Sequence, residues 1–245
     1  MCQRVLPAHC SGFAMRVEKG VFMKKIAIMS ISFLLTAVLL IGCKNDVKKT
    51  EDSTGVSQTA ESSAAEEQKA EFSIGTIDGA TYSSDFNGLT FTAPEGWTYA
   101  SNEEIANLMG STAEEMFDGD KLSQKALESQ SLYDMMVMNQ ATGSNVIIFY
   151  EDLSKAIGGT KVTEEDYMDI TKKGLEQQKP GTYEQMGEST KQKLGEQEYY
   201  TSSFTLKDEE GMEQHYYLRR IDNYMSGLII TTVQEDVADI IKSFS

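Results

Sequence analysis

The sequence predicts one α+β domain, in which helices pack on a mostly antiparallel sheet. Two apolar segments flank the turn-forming residues 141–144, which is the pattern of a β-hairpin. The last third of the chain alternates strand-like segments with turns and closes on residues with helical spacing. We expect a single domain over residues 72–245, because its roughly 170 residues are the size of one hydrophobic core.

The first elements of this domain are short. Residues 89–93 read as a strand between two turns, and residues 97–99 resume extended structure after the second turn. Ser101 can cap a helix whose first turn carries Glu103 and Glu104. Thr112 begins a further helical stretch, which continues through the apolar residues Met116, Phe117, Leu122, Ala126 and Leu127.

Residues 132–139 and 145–150 are the strands of the predicted hairpin. The second strand is continuously apolar over residues 146–149, so we expect a central strand that is covered on both faces. Residues 163–166 have the pattern of a capping box and predict a helix to about residue 178, which Pro180 and Gly181 stop.

The final third predicts an antiparallel meander and a last helix. Its strand-like segments are residues 183–189, 197–206, 212–221 and 227–232. The helix is expected over residues 234–244, because four apolar residues fall at the i, i+3, i+4, i+7 spacing, namely Val237, Ile240, Ile241 and Phe244.

The N-terminal part of the chain carries an export signal. Lys24 and Lys25 precede an uncharged apolar run over residues 26–41, which is shorter than the roughly 20 residues of a membrane span. The run ends in Leu40-Ile41-Gly42-Cys43, which resembles the bacterial lipobox. This resemblance implies a diacylglyceryl group on the Cys43 sulfur and cleavage before Cys43, so that residues 23–42 are a lipoprotein signal peptide. We therefore expect a palmitate-type lipid anchor on the extracytoplasmic side of the cell membrane.

Residues 1–22 fit neither a signal peptide nor a folded element. They contain Cys2, His9 and Cys10 without helical or strand periodicity, whereas a signal peptide begins near its basic residues. We interpret them as an over-extended reading frame, with the natural start at Met23.

Charge and cysteine content narrow the possible functions. Removing residues 1–42 takes away five basic residues and one acidic residue, which leaves 17 basic and 37 acidic residues and a net charge of −20. Such a chain repels nucleic acid and anionic lipid head groups, so the membrane contact is expected from acyl chains instead of a basic patch. The domain after Cys43 has no cysteine and therefore neither a disulfide nor a thiol nucleophile.

Residues 44–71 are expected to be a disordered tether after the lipidated Cys43. They are rich in Ser, Thr, Glu, Gln, Ala and Lys and contain almost no large apolar residue. A flexible coil of this length reaches roughly 30 Å on average, which would hold the domain clear of the lipid surface. A polar helix over residues 64–70 is the alternative.

Residues 88–97, with the sequence GLTFTAPEGW, resemble the opening of PsbP-like domains. That superfamily includes an accessory protein of photosynthetic oxygen evolution and envelope lipoproteins of the DcrB type. The order of elements after this opening is similar over residues 89–244. The resemblance implies a PsbP-like α/β/α sandwich that binds or assembles and does not catalyse, and the family has no shared catalytic residues to carry over.

The sequence does not single out a catalytic set. His215 is the only histidine after the signal peptide, and it lies in an aromatic strand, where a structural or surface role is more usual than that of a base. Asp118-Gly119-Asp120 lacks the remaining ligands of a calcium loop and reads as a solvated turn. No metal or other cofactor is expected. Asp208, Glu209 and Glu210 read as a charged hairpin tip.

Two further groups of residues could line a ligand cleft or simply fill the core. Trp97 follows the turn at residues 94–96, where its ring would cover an edge of the core. The tyrosines Tyr199, Tyr200, Tyr216 and Tyr217 and the methionines Met135, Met136 and Met138 lie on predicted strands. We expect mainly packing from these residues, with Met135 on the opposite face from Met136 and Met138.

The sequence thus indicates an envelope-anchored binding or accessory module that is not an enzyme. Its expected partners are an envelope protein or an exported ligand, and the membrane through the acyl chains. The alternative is a hydrolase of cell-wall or sugar polymers that uses a pair of carboxylates. A third interpretation is a structural spacer at the cell surface.

Overall fold

The computed structural model describes residues 71–119 and 121–245. The predictions for the over-extended frame, the signal peptide, the lipidated Cys43 and the tether up to residue 70 lie outside the described residues. Within the described part of the chain, no helix is long and apolar enough to cross a membrane.

A large antiparallel sheet of eight strands forms the centre of the domain. Its strands run in the order β10-β11-β12-β13-β8-β7-β4. β9 pairs with residues 204–206 of β11, beyond the residues of β11 that pair with β10. The strands are β4 (Trp97–Tyr99), β7 (Ser131–Asn139), β8 (Asn145–Asp152), β9 (Tyr183–Gln185), β10 (Thr190–Leu194), β11 (Gln197–Leu206), β12 (Met212–Ile221) and β13 (Tyr224–Val233). The α+β prediction is confirmed, and β8 is a central strand as its apolar run predicts.

Two smaller sheets accompany the central one. The first has three antiparallel strands, β1 (Thr76–Asp78), β2 (Thr81–Ser84) and β3 (Leu89–Thr92). The C-terminal residues run along the free edge of β3, because the backbone N–H groups of Thr90 and Thr92 donate to Ser245 and Ser243. The second is the two-stranded hairpin of β5 (Phe117–Asp118) and β6 (Lys121–Leu122).

Five α-helices and two 3-10 turns, Leu153–Lys155 and Gly159–Lys161, complete the described domain. Each α-helix begins at a capping side chain. Ser101, Thr112 and Thr163 form capping boxes, with an acidic N3 side chain returning to the cap backbone in each case. The helices are α1 (Asn102–Leu108), α2 (Ala113–Met116), α3 (Gln124–Glu128), α4 (Glu164–Gln178) and α5 (Val237–Ile241).

The two faces of the central sheet bury separate cores. The hairpin face, which is covered by β1 to β3 and α5, buries apolar residues that include Tyr82, Phe91, Met135, Val146, Ile230 and Phe244. The opposite face, which we call the helix face, is covered by α4 and α1. Tyr167 and Met168 of α4 pack with Tyr216 and Ile229 of the sheet, and Ile105 of α1 packs with Met136 and Met138. Met135 therefore lies opposite Met136 and Met138 and all three are buried, which confirms their role as core residues.

The predicted C-terminal helix and the predicted helical stretch that contains Leu122 need correction. The helix has only residues 237–241, because Gln234 has a φ of +57°, outside the helical region, and Asp236 is the cap. Beyond it, Phe244 forms an isolated bridge with Phe91. Leu122 lies in β6 instead of a helix, since the short hairpin at Gly119 interrupts the apolar stripe.

The predicted strand over residues 183–189 is two strands. β9 ends at Gln185 and β10 begins at Thr190, and both pair with β11. Exposed residues at 186–188, including Gly187 with a φ of +71°, separate them. β10 shows no apolar alternation, because four of its five residues are exposed at the sheet edge.

Candidate functional site

The central sheet has two ends with different chemistry on the hairpin face. At one end lie the start of β7, the end of β8 and the start of β13. The chain enters the domain at this end, where the ring of Phe72 stacks on that of Tyr224 with 4.4 Å between the ring centroids. We call this end the tether pole. At the opposite end lie the turn between β7 and β8, the start of β12 and the end of β13, which we call the distal pole.

One row of cross-strand neighbours on the hairpin face changes from apolar to polar. Val137 pairs with Val146, Val146 with Ile230, Ile230 with His215 and His215 with Ser203. The next row towards the distal pole contains Thr232 opposite Glu213. Polar residues thus replace the apolar core where the face reaches β12 and β11.

A serine, a histidine and a carboxylate meet in this region. The Oγ of Ser203 lies 2.8 Å from Nδ1 of His215, and Nε2 of His215 lies 3.2 Å from Oε2 of Glu213. Strand pairing explains the contact, since Ser203 is directly opposite His215 and Glu213 is two residues before His215 on the same face.

Three neighbouring polar side chains bury an atom that has no hydrogen-bond partner among the described residues, and Nε2 of His215 is one of these atoms. Thr232 is 1% exposed, and its Oγ1 has no hydrogen-bond partner among the described residues. Asn139 donates from Nδ2 to Oε1 of Glu235 at 2.9 Å, whereas Oε2 of Glu235 is buried without a partner in the described chain. We call Asn139, Ser203, Glu213, His215, Thr232 and Glu235 the distal cluster.

Burial lowers the pKa of His215, and the charges of Glu213 and Asp236 oppose this shift. Desolvation is the larger effect, so the imidazole is neutral near pH 7 and one of its nitrogens can accept a proton. The ring lies between Ser203 and Glu213, with hydrogen-bond geometry to Ser203 alone. The same groups can also accept hydrogen bonds from a bound partner, because carboxylates and hydroxyls make up most of the cluster.

Trp97, the predicted cleft residue, lies at the edge of the same face. It is half-buried on β4 opposite Asn139, and its ring lies 6.4 Å from that of Phe91. It therefore covers an edge of the core, as expected. The structure also places it beside Asn139 of the distal cluster, which the sequence did not indicate.

Asp118 and Asp208, two of the acidic residues considered from the sequence, lie in β-hairpins. Asp118 is an exposed residue of the β5–β6 hairpin, and the described residues contain no group of His, Cys, Asp or Glu side chains arranged to hold a metal ion. Asp208 lies in the turn between β11 and β12, where Thr182 donates to its carboxylate at 2.7 Å. This turn is the charged hairpin tip that the sequence predicts.

Tyr199, Tyr216 and Tyr217 are buried, and Tyr200 is half-buried. Tyr199 and Tyr217 make an edge-to-face contact at 6.3 Å between ring centroids, and Tyr216 contacts Phe204 at 5.6 Å. These tyrosines are core residues and cross-strand neighbours, so the packing interpretation of the strand aromatics is confirmed.

Two further carboxylates are engaged away from the distal pole. Asp134, at a bulge in β7, accepts hydrogen bonds from the backbone N–H of Gly75 at 2.9 Å and from the Tyr82 hydroxyl at 2.7 Å. Burial raises the pKa of Asp134 to about 6. Glu151 accepts hydrogen bonds from the Tyr167 hydroxyl and from Gln130. Both carboxylates join separate parts of the fold.

Sequence reasoning missed most of the distal cluster. It singled out His215 but not Ser203 or Glu213, because only the antiparallel register between β11 and β12 reveals that they are neighbours. The available signal was the alternation of Glu213, His215 and Tyr217 on one face of a strand. The residues proposed for lipidation and signal-peptidase recognition, Leu40, Ile41, Gly42 and Cys43, lie outside the described residues.

The comparisons with known proteins concern the fold alone. No protein-family model matches the chain, and no curated protein matches it. Among solved structures, the chain is similar to the solution structure of cyanobacterial PsbP, CyanoP, from Synechocystis, with 16% identity and a TM-score of 0.40 over 71% of this chain and 97% of that chain.

Proposed function

We propose that the chain is a lipoprotein of the bacterial cell envelope, anchored through Cys43, whose domain binds or assists an envelope protein or an exported ligand. The anchor is supported by the basic residues, the short apolar run and the lipobox-like sequence that ends in Cys43. The binding role is supported by the distal cluster, which lies at the opposite end of the sheet from the entry of the chain at Phe72.

The polar character of the distal pole is the observation that carries the binding role. Burying polar groups without partners costs free energy, yet Thr232 and Glu235 both keep buried oxygen atoms unpaired within the described chain. A core residue of similar size would avoid this cost. These buried atoms are out of a partner's reach, but retention of polar groups at this end is explained if the half-buried Glu213 and Ser203 beside them are used for recognition.

The composition of the cluster indicates the chemistry of its partner. Glu213 and Glu235 provide carboxylates, Ser203 and Thr232 provide hydroxyls, and neutral His215 adds one acceptor nitrogen. Acceptors therefore predominate, which favours a partner that presents amine, guanidinium or amide N–H groups. The overall acidity of the chain would assist the approach of such a partner.

Photocrosslinking in intact cells tests the binding role. A photoreactive residue at Ala141, an exposed position in the β7–β8 turn, should give a discrete protein adduct, and Glu213→Gln should weaken that adduct. The matched control is the same residue at Ser154, an exposed position at the tether pole. Equal adducts from both positions, or none from Ala141, would contradict recognition at the distal pole.

The anchor has its own test. Cys43→Ala removes the only thiol that can accept the lipid, so the variant should not incorporate a fatty-acid probe and should retain its signal peptide. Mass spectrometry and membrane fractionation measure both effects beside the wild-type chain. If the alanine variant is still labelled, the assignment of Cys43 is wrong.

The hydrolase alternative is addressed by a turnover screen on cell-wall and sugar polymers. The buried carboxylates of Asp134 and Glu151 are occupied by hydrogen bonds to tyrosines, so Glu213 and Glu235 are the first acids to substitute. Robust turnover that one Asp or Glu substitution abolishes would defeat the binding proposal in favour of this alternative.

A further inference from the structure

We infer that the loop of residues 153–162 rests on the lipid surface to which the chain is tethered, with Ile157 as its apolar contact. This inference rests on the proposed function, because it requires the lipid at Cys43. It goes beyond that proposal by giving the domain a defined orientation and a second, direct contact with the bilayer.

Ile157 is the most exposed large apolar residue of the described chain. Its relative exposure is 91%, whereas Leu127, on the adjacent helix α3, is 42% exposed. The two segments are joined because the Lys155 ammonium donates to the backbone carbonyls of Leu127 at 2.6 Å and Ser129 at 2.8 Å. A single exposed apolar residue is common on protein surfaces. Ile157 differs from such residues in the loop that holds it and in its position on the domain.

The loop that carries Ile157 is held in place on both sides. Asp152 accepts hydrogen bonds from the backbone and hydroxyl of Ser154 and lies 3.2 Å from the Lys155 ammonium. On the other side, the Arg220 guanidinium donates to the carbonyls of Thr160 at 2.7 Å and Val162 at 3.0 Å. Ile157 is thus the apex of a braced loop.

Glycine is required for the loop to close behind its apex. Gly158 has a φ of +75°, in the left-handed region, and a Cβ atom on Gly159 would lie only 2.2 Å from the carbonyl oxygen of Leu153. The tight return leaves the side chain of Ile157 outside the fold. The geometry presents the residue instead of burying it.

The loop lies at the pole where the tether enters. Asp152, at the base of the loop, pairs with Tyr224, on which Phe72 stacks. The 28 residues between Cys43 and Phe72 set only a maximum distance between the lipid and the domain, so a tether that can hold the domain clear of the lipid also lets this loop reach the same surface. The distal cluster would then face away from the membrane.

The local charge favours a phospholipid surface. Residues 153–163 contain Lys155 and Lys161 and no acidic residue, in a chain whose net charge after removal of residues 1–42 is −20. Lys155 is held by Asp152 and by the carbonyls of Leu127 and Ser129, so the exposed Lys161 is the lysine that can keep its ammonium group at the headgroup level. The loop is therefore compatible with lipid where most of the acidic surface is not.

The test uses the lipidated chain, in which Cys43 carries the lipid and leaves no free thiol. Ile157→Cys adds one thiol for an environment-sensitive NBD dye, and Ala141→Cys is the matched control at the distal pole. The proteins are reconstituted on phosphatidylcholine and phosphatidylglycerol vesicles with and without nitroxide-labelled lipid. We expect a blue shift and nitroxide quenching at position 157, and neither at position 141.

The outcomes separate the inference from the proposal on which it rests. A chain that does not float with the vesicles refutes the anchor and, with it, the inference. A chain that floats while the dye at position 157 escapes nitroxide quenching refutes the inference alone, including the case in which a blue shift reports contact with another protein. In a chain labelled at Lys161→Cys, the added substitution Ile157→Glu should reduce the quenching several-fold, and unchanged quenching would contradict the role of Ile157.

Discussion

The tether pole and the distal pole lie on the same face of one sheet but are built from different residues. At the tether pole, the rings of Phe72, Phe86, Tyr150 and Tyr224 lie with their centroids 4.4 to 5.5 Å apart. At the distal pole, His215 and its polar neighbours occupy the corresponding surface. Aromatic burial stabilises a fold, whereas buried polar groups reduce its stability. Stability is therefore concentrated at the tether pole, and the recognition role remains a proposal for the distal pole.

The largest effect is expected from the aromatic cluster. Phe86 is 5% exposed and contacts three other rings, so Phe86→Ala should lower the free energy of unfolding by about 3–5 kcal/mol. Chemical denaturation of the domain measures this loss. A loss below about 1 kcal/mol, which is the typical effect of a single substitution, would show that the tether pole does not dominate stability.

Trp97 should cost less, although it is a larger side chain. Because Trp97 is half-buried on an edge strand, Trp97→Ala should lower the free energy of unfolding by about 2 kcal/mol. Trp97→Phe should melt close to the wild type. If the phenylalanine variant also loses the adduct formed at Ala141, Trp97 belongs to the recognition surface as well as to the core.

Asp134 should make the fold less stable as the pH rises. Its pKa is raised by burial from 3.8 to about 6 in the folded chain, so its contribution is fully present below pH 3.8 and is lost as the pH rises through about 6. Asp134→Asn should remove this slope from the free energy of unfolding between pH 4 and pH 6. Denaturation series at several pH values, compared with Asp118→Asn at an exposed position, test the assignment.

His215 should act in the opposite direction. Burial lowers its pKa below the ordinary value of 6.5, so the folded chain binds fewer protons than the unfolded chain. The contribution of the neutral ring is present above pH 6.5 and is lost as the pH falls through the lowered pKa. His215→Gln should therefore remove a decline in stability on the acid side of pH 6.5, and an unchanged profile would place that decline elsewhere.

The smallest effect is expected from Ser203. Ser203→Ala removes the hydrogen bond to Nδ1 of His215 and should lower the free energy of unfolding by about 1 kcal/mol. It should also weaken the adduct formed at Ala141 by more than this loss of stability explains. Thr205→Ala, two residues along the same strand, is the control, because its hydroxyl donates to the carbonyl of Glu184 instead of the distal cluster.

Local patterns predicted the elements whose signals are local. The caps at Ser101, Thr112 and Thr163, the hairpin of β7 and β8 and the central position of β8 follow from capping residues, a turn and an apolar run. β1 and β2 were missed, because all three residues of β1 are exposed and Tyr82 is the one large apolar residue of β2. The last helix was predicted too long, because Ile240 and Phe244 are both buried and fit one helical spacing. Ile240 is buried as part of the helix, whereas Phe244 lies beyond it and forms a bridge with Phe91.

The distal cluster was out of reach for a different reason. Its contacts join β7, β11, β12 and the segment after β13, and these depend on register and on where the chain returns after the sheet. A pattern in one strand can indicate that Glu213 and His215 share a face, but it does not reveal Ser203 opposite them. The same holds for Phe72 and Tyr224, which are far apart in sequence and stacked in the fold.

The orientation of the two poles against the membrane is the central claim, and thiol labelling of the lipidated chain on phospholipid vesicles tests it most directly, because no partner protein is present there to cover position 141. Single cysteines at Ala141 and Ile157 would react with a bulky reagent that does not cross membranes, before and after proteolysis releases the domain from its tether. We predict that position 141 reacts at the same rate in both states, whereas position 157 reacts slowly in the tethered chain and rapidly after release. Equal rates at position 157 in the two states would contradict the account.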